Sequence, residues 1–409
     1  MDKWIALEEK YGPHIYRHLP IVLTRGKGVW VWDIHGNKYL DLIGAYSAVN
    51  YGHAHPKLIR ALKQQAEKIS MTLPLIYNDK LGLFLAEICK FSGMDQAMPV
   101  NSGSEAVEAA IKAARKWGYQ YKGIPSGHAE IIVADENYHG RTVTLISAST
   151  REKYREGFAP FTPGFKSVPF GSAEALERAI TPNTCAFIVE TMQGEAGIKI
   201  PPKGWLKKVA QICKAHHLLL ILDEVQAGLG RTGKPFAFQH EIAKPDGLIL
   251  GKSLGGGLVP SACFLAKKEL MGVFGIGGHG STFGGNPLAA AVGLEALKIL
   301  KRERLAEKSR VLGDYFLKKL KNIDSPYILD VRGKGLWIGI DINPRKIPAM
   351  HICEALIERG ILCRETHELT IRLIPPLIIK KKEIDWAVER MKEVFEVGSL
   401  PLHKRRKRR

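Results

Sequence analysis

No apolar run in the sequence reaches the roughly 20 residues that a membrane-crossing helix needs. The first ten residues, MDKWIALEEK, mix acidic and basic side chains without an apolar block, so no secretory signal is expected. They also lack the arginine-rich, acid-poor look of an organelle transit segment. Cysteine is sparse. Cys89, Cys185, Cys213, Cys263, Cys353 and Cys363 form no Cys-x-x-Cys pair, which argues against a zinc site or a disulfide framework and for reduced core thiols in a cytoplasmic protein. No Gly-x-Gly-x-x-Gly opens a strand–helix unit, so a dinucleotide-binding domain is not supported. From Gly247 to Ser253 the chain reads GLILGKS, with three residues between the glycines where a nucleotide phosphate loop has four. Its glycine cluster also follows the lysine, and an ATPase is excluded on spacing. No internal repeat is present.

What the chain does have is basic charge: 60 basic against 41 acidic residues, a net +19, which favours anionic partners without naming one. Part of it sits in the tail His403–Arg409, HKRRKRR, expected to be a solvated, disordered end. No aromatic residue interleaves this tail, so it offers no stacking surface for nucleic acid. His53 and His55 have no nearby third ligand and are expected to serve a turn and packing, not a metal. A length of 409 residues and 45% hydrophobic content suit a large core and more than one domain.

Two stretches organise the rest. Leu218–Leu222 is an unbroken Leu/Ile run, as in a strand buried on both faces, and it ends in Asp223-Glu224. A carboxylate at the carboxyl end of such a strand lies where open α/β sheets bind ligands. Leu248–Leu250 is a shorter run ending in Gly251-Lys252-Ser253 and a triple glycine. A lysine and a carboxylate at neighbouring strand ends suit pyridoxal 5'-phosphate. Lys252 would hold it as an imine, and Asp223 would hold a proton on its ring nitrogen. Asn101–Ser104 precedes the strong helix former Ala106–Trp117, and free N–H groups at that start make a phosphate cradle from Gly103 and Ser104, with Thr282 as a further hydroxyl.

A strand–helix–strand rhythm from about 95 to 265 predicts an α/β domain with a mostly parallel central sheet. Residues 51–300 are assigned to this large domain. Residues 1–50 form an arm and hairpin packing with a smaller α+β domain at 301–398, and 399–409 form the tail. Helices are expected from Asn78, and from Pro287 without interruption to about residue 321.

The order NSGSEA (101–106), NYHGRT (137–142), Val189-Glu190, QGEAG (193–197), LDEVQAGLGRTG (222–233), GKSLGGG (251–257), GSTFGGNP (280–287) and RLIPPL (372–377) resembles the class III, ornithine-type aminotransferases. The likeness runs from about residue 10 to 395. It implies the fold-type I architecture of pyridoxal-phosphate enzymes and a homodimer with shared active sites. It further implies that Lys252 and Asp223 are the catalytic pair and that Gln226 bonds the ring hydroxyl. Val225 would lie beneath the ring and Tyr138 above it, with Glu190 an acid behind the cofactor. Gly103 and Ser104 would bind the phosphate, helped by Ser281 and Thr282 from the other subunit. For substrate it implies Arg141 for the ornithine α-carboxylate and Arg372 for that of glutamate, with Glu195 masking Arg372, and Tyr16 and Tyr46 touching ornithine. The family mostly carries phenylalanine where Tyr138 stands and proline where Thr191 stands. The implied reaction moves the δ-amino group of L-ornithine to 2-oxoglutarate. Acetylornithine, 4-aminobutyrate and other ω-amines remain alternatives, as do a racemase or mutase on the same scaffold.

Overall fold

The computed structural model describes residues 2–241 and 243–396. The basic tail lies outside the described residues. After a helix at Lys3–Tyr11, an antiparallel meander forms from β1 (Leu23–Lys27), β2 (Trp30–Asp33) and β3 (Lys38–Asp41). The turn between β2 and β3 closes on Asp33, whose carboxylate accepts from the backbone N–H of His35 and Asn37 at 2.9 and 2.8 Å.

Seven strands build the central sheet: β4 (Gln96–Val100), β5 (Glu130–Ala134), β6 (Phe165–Val168), β7 (Thr184–Glu190), β8 (Leu219–Asp223), β9 (Gly247–Leu250) and β10 (Ala262–Ala266). Their spatial order is β4-β10-β9-β8-β7-β5-β6, and only β10 runs against the rest. Every residue of β7, β8, β9 and β10 is buried, as a sheet covered on both faces requires, and this is why these segments read as unbroken apolar runs. The helix Gly103–Tyr121 lays Ala106, Ala109, Ala110, Ala113 and Ala114 on the sheet, small side chains that allow close approach.

The remaining strands are β11 (Ile328–Gly333), β12 (Ile338–Ile342), β13 (Ile361–Leu362), β14 (Arg364–Thr366) and β15 (Thr370–Leu373), four of which form a third sheet in the order β11-β12-β15-β14. The short β13 instead pairs in parallel with Leu40 and Asp41 of β3, so the amino-terminal meander is stitched to carboxyl-terminal residues. The helix Lys381–Phe395 packs its face of Ile384, Val388, Met391 and Phe395 into the same core.

Three expected boundaries move. The long helix breaks into Pro287–Arg302 and Leu305–Lys321, with Arg304 in the left-handed region at φ 52°. No glycine or proline marks that break; it turns the chain so that Leu305 can bury completely. The helix expected from Asn78 begins at Leu81, because the Asn78 side chain accepts from the N–H of Lys80 and Leu81 at 3.1 and 2.8 Å and closes a turn first. The helix after Asn101 starts at Gly103, so Gly103 and Ser104 belong to its first turn, and Ser102 caps it by accepting from Glu105 N–H at 3.2 Å.

Among the described residues no helix is long and apolar enough to cross a membrane, and no cluster of His, Cys, Asp and Glu is arranged to hold a metal. His53 pairs with Asp41 at 2.8 Å and His55 with Glu303 at 3.7 Å.

Candidate active site

Strand register puts the chemistry together. Glu190 and Asp223 are the last residues of β7 and β8 and lie directly opposite each other, and Asp223 faces Ile249 of β9, three residues before Lys252. Their carboxylates therefore leave the sheet side by side, at the carboxyl ends of parallel strands. A cavity of about 210 Å³ opens there, lined by Gly103, Ser104, Tyr138, Glu190, Asp223, Val225, Gln226 and Lys252, together with His139, Gly140, Met192 and Ala227.

Asp223 is held at both oxygens. Oδ1 accepts from Val225 N–H at 3.0 Å and Oδ2 accepts from His139 Nδ1 at 2.7 Å. Burial opposes charge on His139, but the hydrogen bond and negative charge of Asp223 outweigh it, so the imidazole sits above its usual pKa. Burial pushes the Glu190 carboxyl up to about 8, against the opposing charge of His139 and with Asp223 adding to the rise. His139 thus faces Asp223 as a cationic partner, while the neighbouring Glu190 is driven toward the neutral acid. His139 was not among the residues singled out in the sequence. Its only signal is its place in NYHGRT, and its partner lies 84 residues away.

Lys252 follows Gly251 at the end of β9 and takes the left-handed conformation, φ 47°, a backbone setting that non-glycine residues rarely adopt. Burial lowers its pKa, partly offset by Asp223, Glu195 and Glu190, so its amine is neutral more often than a surface lysine's. At the opposite wall the helix start presents the N–H groups of Gly103 and Ser104. A Cβ at Gly103 would stand 3.1 Å from the Val225 side chain, so glycine lets the two walls close up.

The arginines divide. Arg372 on β15 is 4% exposed and pairs with Glu195 at 2.6 Å, with Tyr46 beneath its guanidinium at 4.7 Å. Tyr46 stands in a run of four residues with positive φ, Gly44 to Ser47. Arg141 is exposed, lies 5.5 Å from the Tyr138 ring, and pairs with no carboxylate among the described residues. Tyr16 is not brought to the cavity: it is exposed on the arm, its ring 6.4 Å from that of His18. Ser281 accepts from Asn101 of its own chain at 2.9 Å, and Thr282 is exposed beside it. Thr191 is buried with its hydroxyl unpartnered.

Glu224, next in sequence to Asp223, faces away and accepts from the N–H of Ala237 and Phe238 at 2.7 and 2.6 Å. Burial nevertheless pushes its carboxyl up to about 8. The folded state therefore binds a proton that the unfolded chain releases at its ordinary pKa of 4.5. The stability this proton contributes is present below that value and is lost as pH rises through about 8. Relative to the wild type, Glu224→Gln should gain melting temperature as pH rises across that window; a difference that stays flat in thermal melts would show that Glu224 ionises as freely folded as unfolded.

A family model described as "Aminotransferase class-III" matches residues 11–395. The chain belongs to the class-III aminotransferases. An ornithine aminotransferase of Exiguobacterium sp. is 54% identical over 396 residues, 97% of this chain and 98% of that one. The ornithine aminotransferase of Geobacillus sp. is 52% identical over 391 residues, 96% of this chain and 98% of that one. Among solved structures, the ornithine aminotransferase of Toxoplasma gondii superposes with a TM-score of 0.94 at 41% identity, covering 96% of this chain and 94% of that one. Another crystal structure of that enzyme has partial occupancy of PLP at its active site. An acetylornithine aminotransferase from Elizabethkingia anophelis superposes with a TM-score of 0.87 at 44% identity, over 96% of this chain and 98% of that one.

Proposed function

We propose that this class-III aminotransferase acts on ornithine. It transfers the δ-amino group of L-ornithine to 2-oxoglutarate, giving glutamate and glutamate 5-semialdehyde, which cyclises to pyrroline-5-carboxylate. One observation carries the choice of substrates: of two arginines at one site, Arg372 is masked by Glu195 and Arg141 is open. Ornithine brings one carboxylate and needs one arginine. A bare Arg372 would then be an unpaired buried charge, which is costly, and Glu195 removes that cost. Glutamate brings two carboxylates, and Glu195 must yield to admit the second.

The cavity suits pyridoxal 5'-phosphate. Gln226 Nε2 is buried without a protein partner and is a donor suited to a ring hydroxyl, and Asp223 is an acceptor suited to a protonated ring nitrogen. Gly103 and Ser104 would hold the phosphate at the helix start, Val225 and Tyr138 the two faces of the ring, and Lys252 the aldehyde carbon. When bound, this cofactor takes up the electrons released as a proton leaves the donor carbon. The neutral amine of Lys252 is the base for that proton. Asp223, braced by His139, keeps the ring nitrogen protonated, and Glu190 behind it adds little negative charge.

Ile76 and Tyr77 line a cavity with Ser281, Gly284 and Gly285, and with the exposed Leu73, Leu75 and Phe283 adjoining them in sequence this apolar surface suits coverage by a second copy of the chain. In that homodimer Thr282 of the partner subunit would complete the phosphate cradle.

The test is spectroscopic. L-Ornithine should bleach the visible band of the holoenzyme, and 2-oxoglutarate should restore it. N-Acetylornithine and 4-aminobutyrate should bleach it at least ~10-fold more slowly. Faster bleaching by N-acetylornithine would move the assignment to that donor. In Glu195→Gln, which leaves Arg372 charged and uncovered, the ornithine half-reaction should slow about tenfold while that of glutamate is spared. Equal losses in single-turnover kinetics would remove Glu195 from its masking role.

A further inference from the structure

Arg141 has a partner that the substrate reading does not use. Its guanidinium carbon lies 3.4 Å from the centre of the Tyr154 ring, much nearer than the 5.5 Å to Tyr138. Tyr154 belongs to the short helical turn Glu152–Arg155 and meets Tyr138 edge-on, ring centres 6.3 Å apart at 82°. Its hydroxyl accepts from Arg151 Nη1 at 3.3 Å. Arg151 then reaches across the site: Nη2 donates to the backbone carbonyl of Glu195 at 3.4 Å and to His367 Nδ1 at 3.1 Å. Thr366 donates to the same Glu195 carbonyl at 2.8 Å. One chain of contacts therefore runs from the open arginine to the backbone of the residue that masks the other.

We propose that Tyr154 is a specificity-determining residue, a shelf that holds the Arg141 guanidinium in place for the donor's α-carboxylate, with Arg151 bracing the shelf against the Glu195 loop. The inference rests on the ornithine reading above. An exposed arginine explores many rotamers, and each bond it makes to a substrate must overcome that freedom. Stacking occupies only the face of the guanidinium. Tyr154 leaves the in-plane N–H fork unoccupied, and that fork, which also bonds Tyr138, is the part that matches a carboxylate. Tyr154 thus orients Arg141 without competing for its donors. Partial desolvation and the charge of Arg151 hold His367 below the usual imidazole pKa, which suits its Nδ1 to accept from Arg151. With its carbonyl held by Arg151 and Thr366, Glu195 can leave Arg372 by side-chain rotation while its backbone stays in place.

The experiment compares L-ornithine with putrescine, the same diamine without the carboxylate, as donors in single-turnover bleaching of the holoenzyme. In Tyr154→Leu the ratio of the second-order rates, ornithine over putrescine, should fall about tenfold, and in Tyr154→Phe, which keeps the ring face, it should return to within about threefold of wild type. A general folding defect lowers both rates and leaves the ratio unmoved. An unchanged ratio in Tyr154→Leu, or one that stays low in Tyr154→Phe, overturns the shelf. Wild-type enzyme that ornithine does not bleach would instead sink the substrate reading on which the inference rests.

Discussion

Alanine at position 252 should lower amino transfer by at least roughly 10⁴-fold and erase the visible band that marks covalent cofactor attachment. The expectation follows from position as well as residue type. Lys252 stands at the end of a fully buried strand, at the mouth of a cavity whose other walls are Asp223, Gln226 and a helix start. Burial shifts its amine toward the neutral, nucleophilic form. Among the described residues no other lysine lines that cavity, so no second amine stands ready to take over its proton transfer. The measurement is absorbance of the purified protein with added pyridoxal 5'-phosphate, followed by single turnover with ornithine. Added small amines should restore part of the rate, since what is missing is a base. Normal steady-state activity in the variant would reject the assignment of both cofactor and site.

Asp223→Ala should lower the rate about 10³-fold, on the scale of removing one preorganised electrostatic group from a transition state. Two effects combine. The ring nitrogen loses the acceptor that keeps its proton, and His139, buried against that same carboxylate at 2.7 Å, loses its counter-charge. The second effect costs fold stability, on the order of 3 kcal/mol for breaking a buried pair. The double variant Asp223→Ala/His139→Phe separates the two: stability should recover while turnover stays low. If turnover recovers as well, the lost rate was a folding defect and Asp223 has no direct part in the chemistry.

Much of this site could be read from the sequence because its determinants are local. A strand covered on both faces is forced into an unbroken aliphatic run, and Leu218–Asp223 shows that run together with the carboxylate that ends it. Glycines around Lys252 and the small polar turn before the helix at Gly103 are equally local. What could not be read depends on residues meeting across the fold. His139 acquires meaning only when β5 and β8 bring its loop to Asp223. Tyr154 looks like a surface residue until Arg141 lies on it. The break at Arg304 carries no glycine or proline; only the burial of Leu305 in the assembled core explains it. The placement of Tyr16 is tertiary in the same way, since it depends on where the arm is tied, and Arg364 ties it through the carbonyl of Arg17 at 2.7 Å.

The left-handed backbone of Lys252 has a consequence for how this protein can be hardened against heat. An ordinary side chain in that region costs about 1–2 kcal/mol that glycine escapes. Selection for thermal endurance alone would favour glycine there, and only the need for an amine forbids it. Variants chosen for higher melting temperature should therefore collect their gains far from the end of β9, and Lys252→Gly should emerge sturdier and inert.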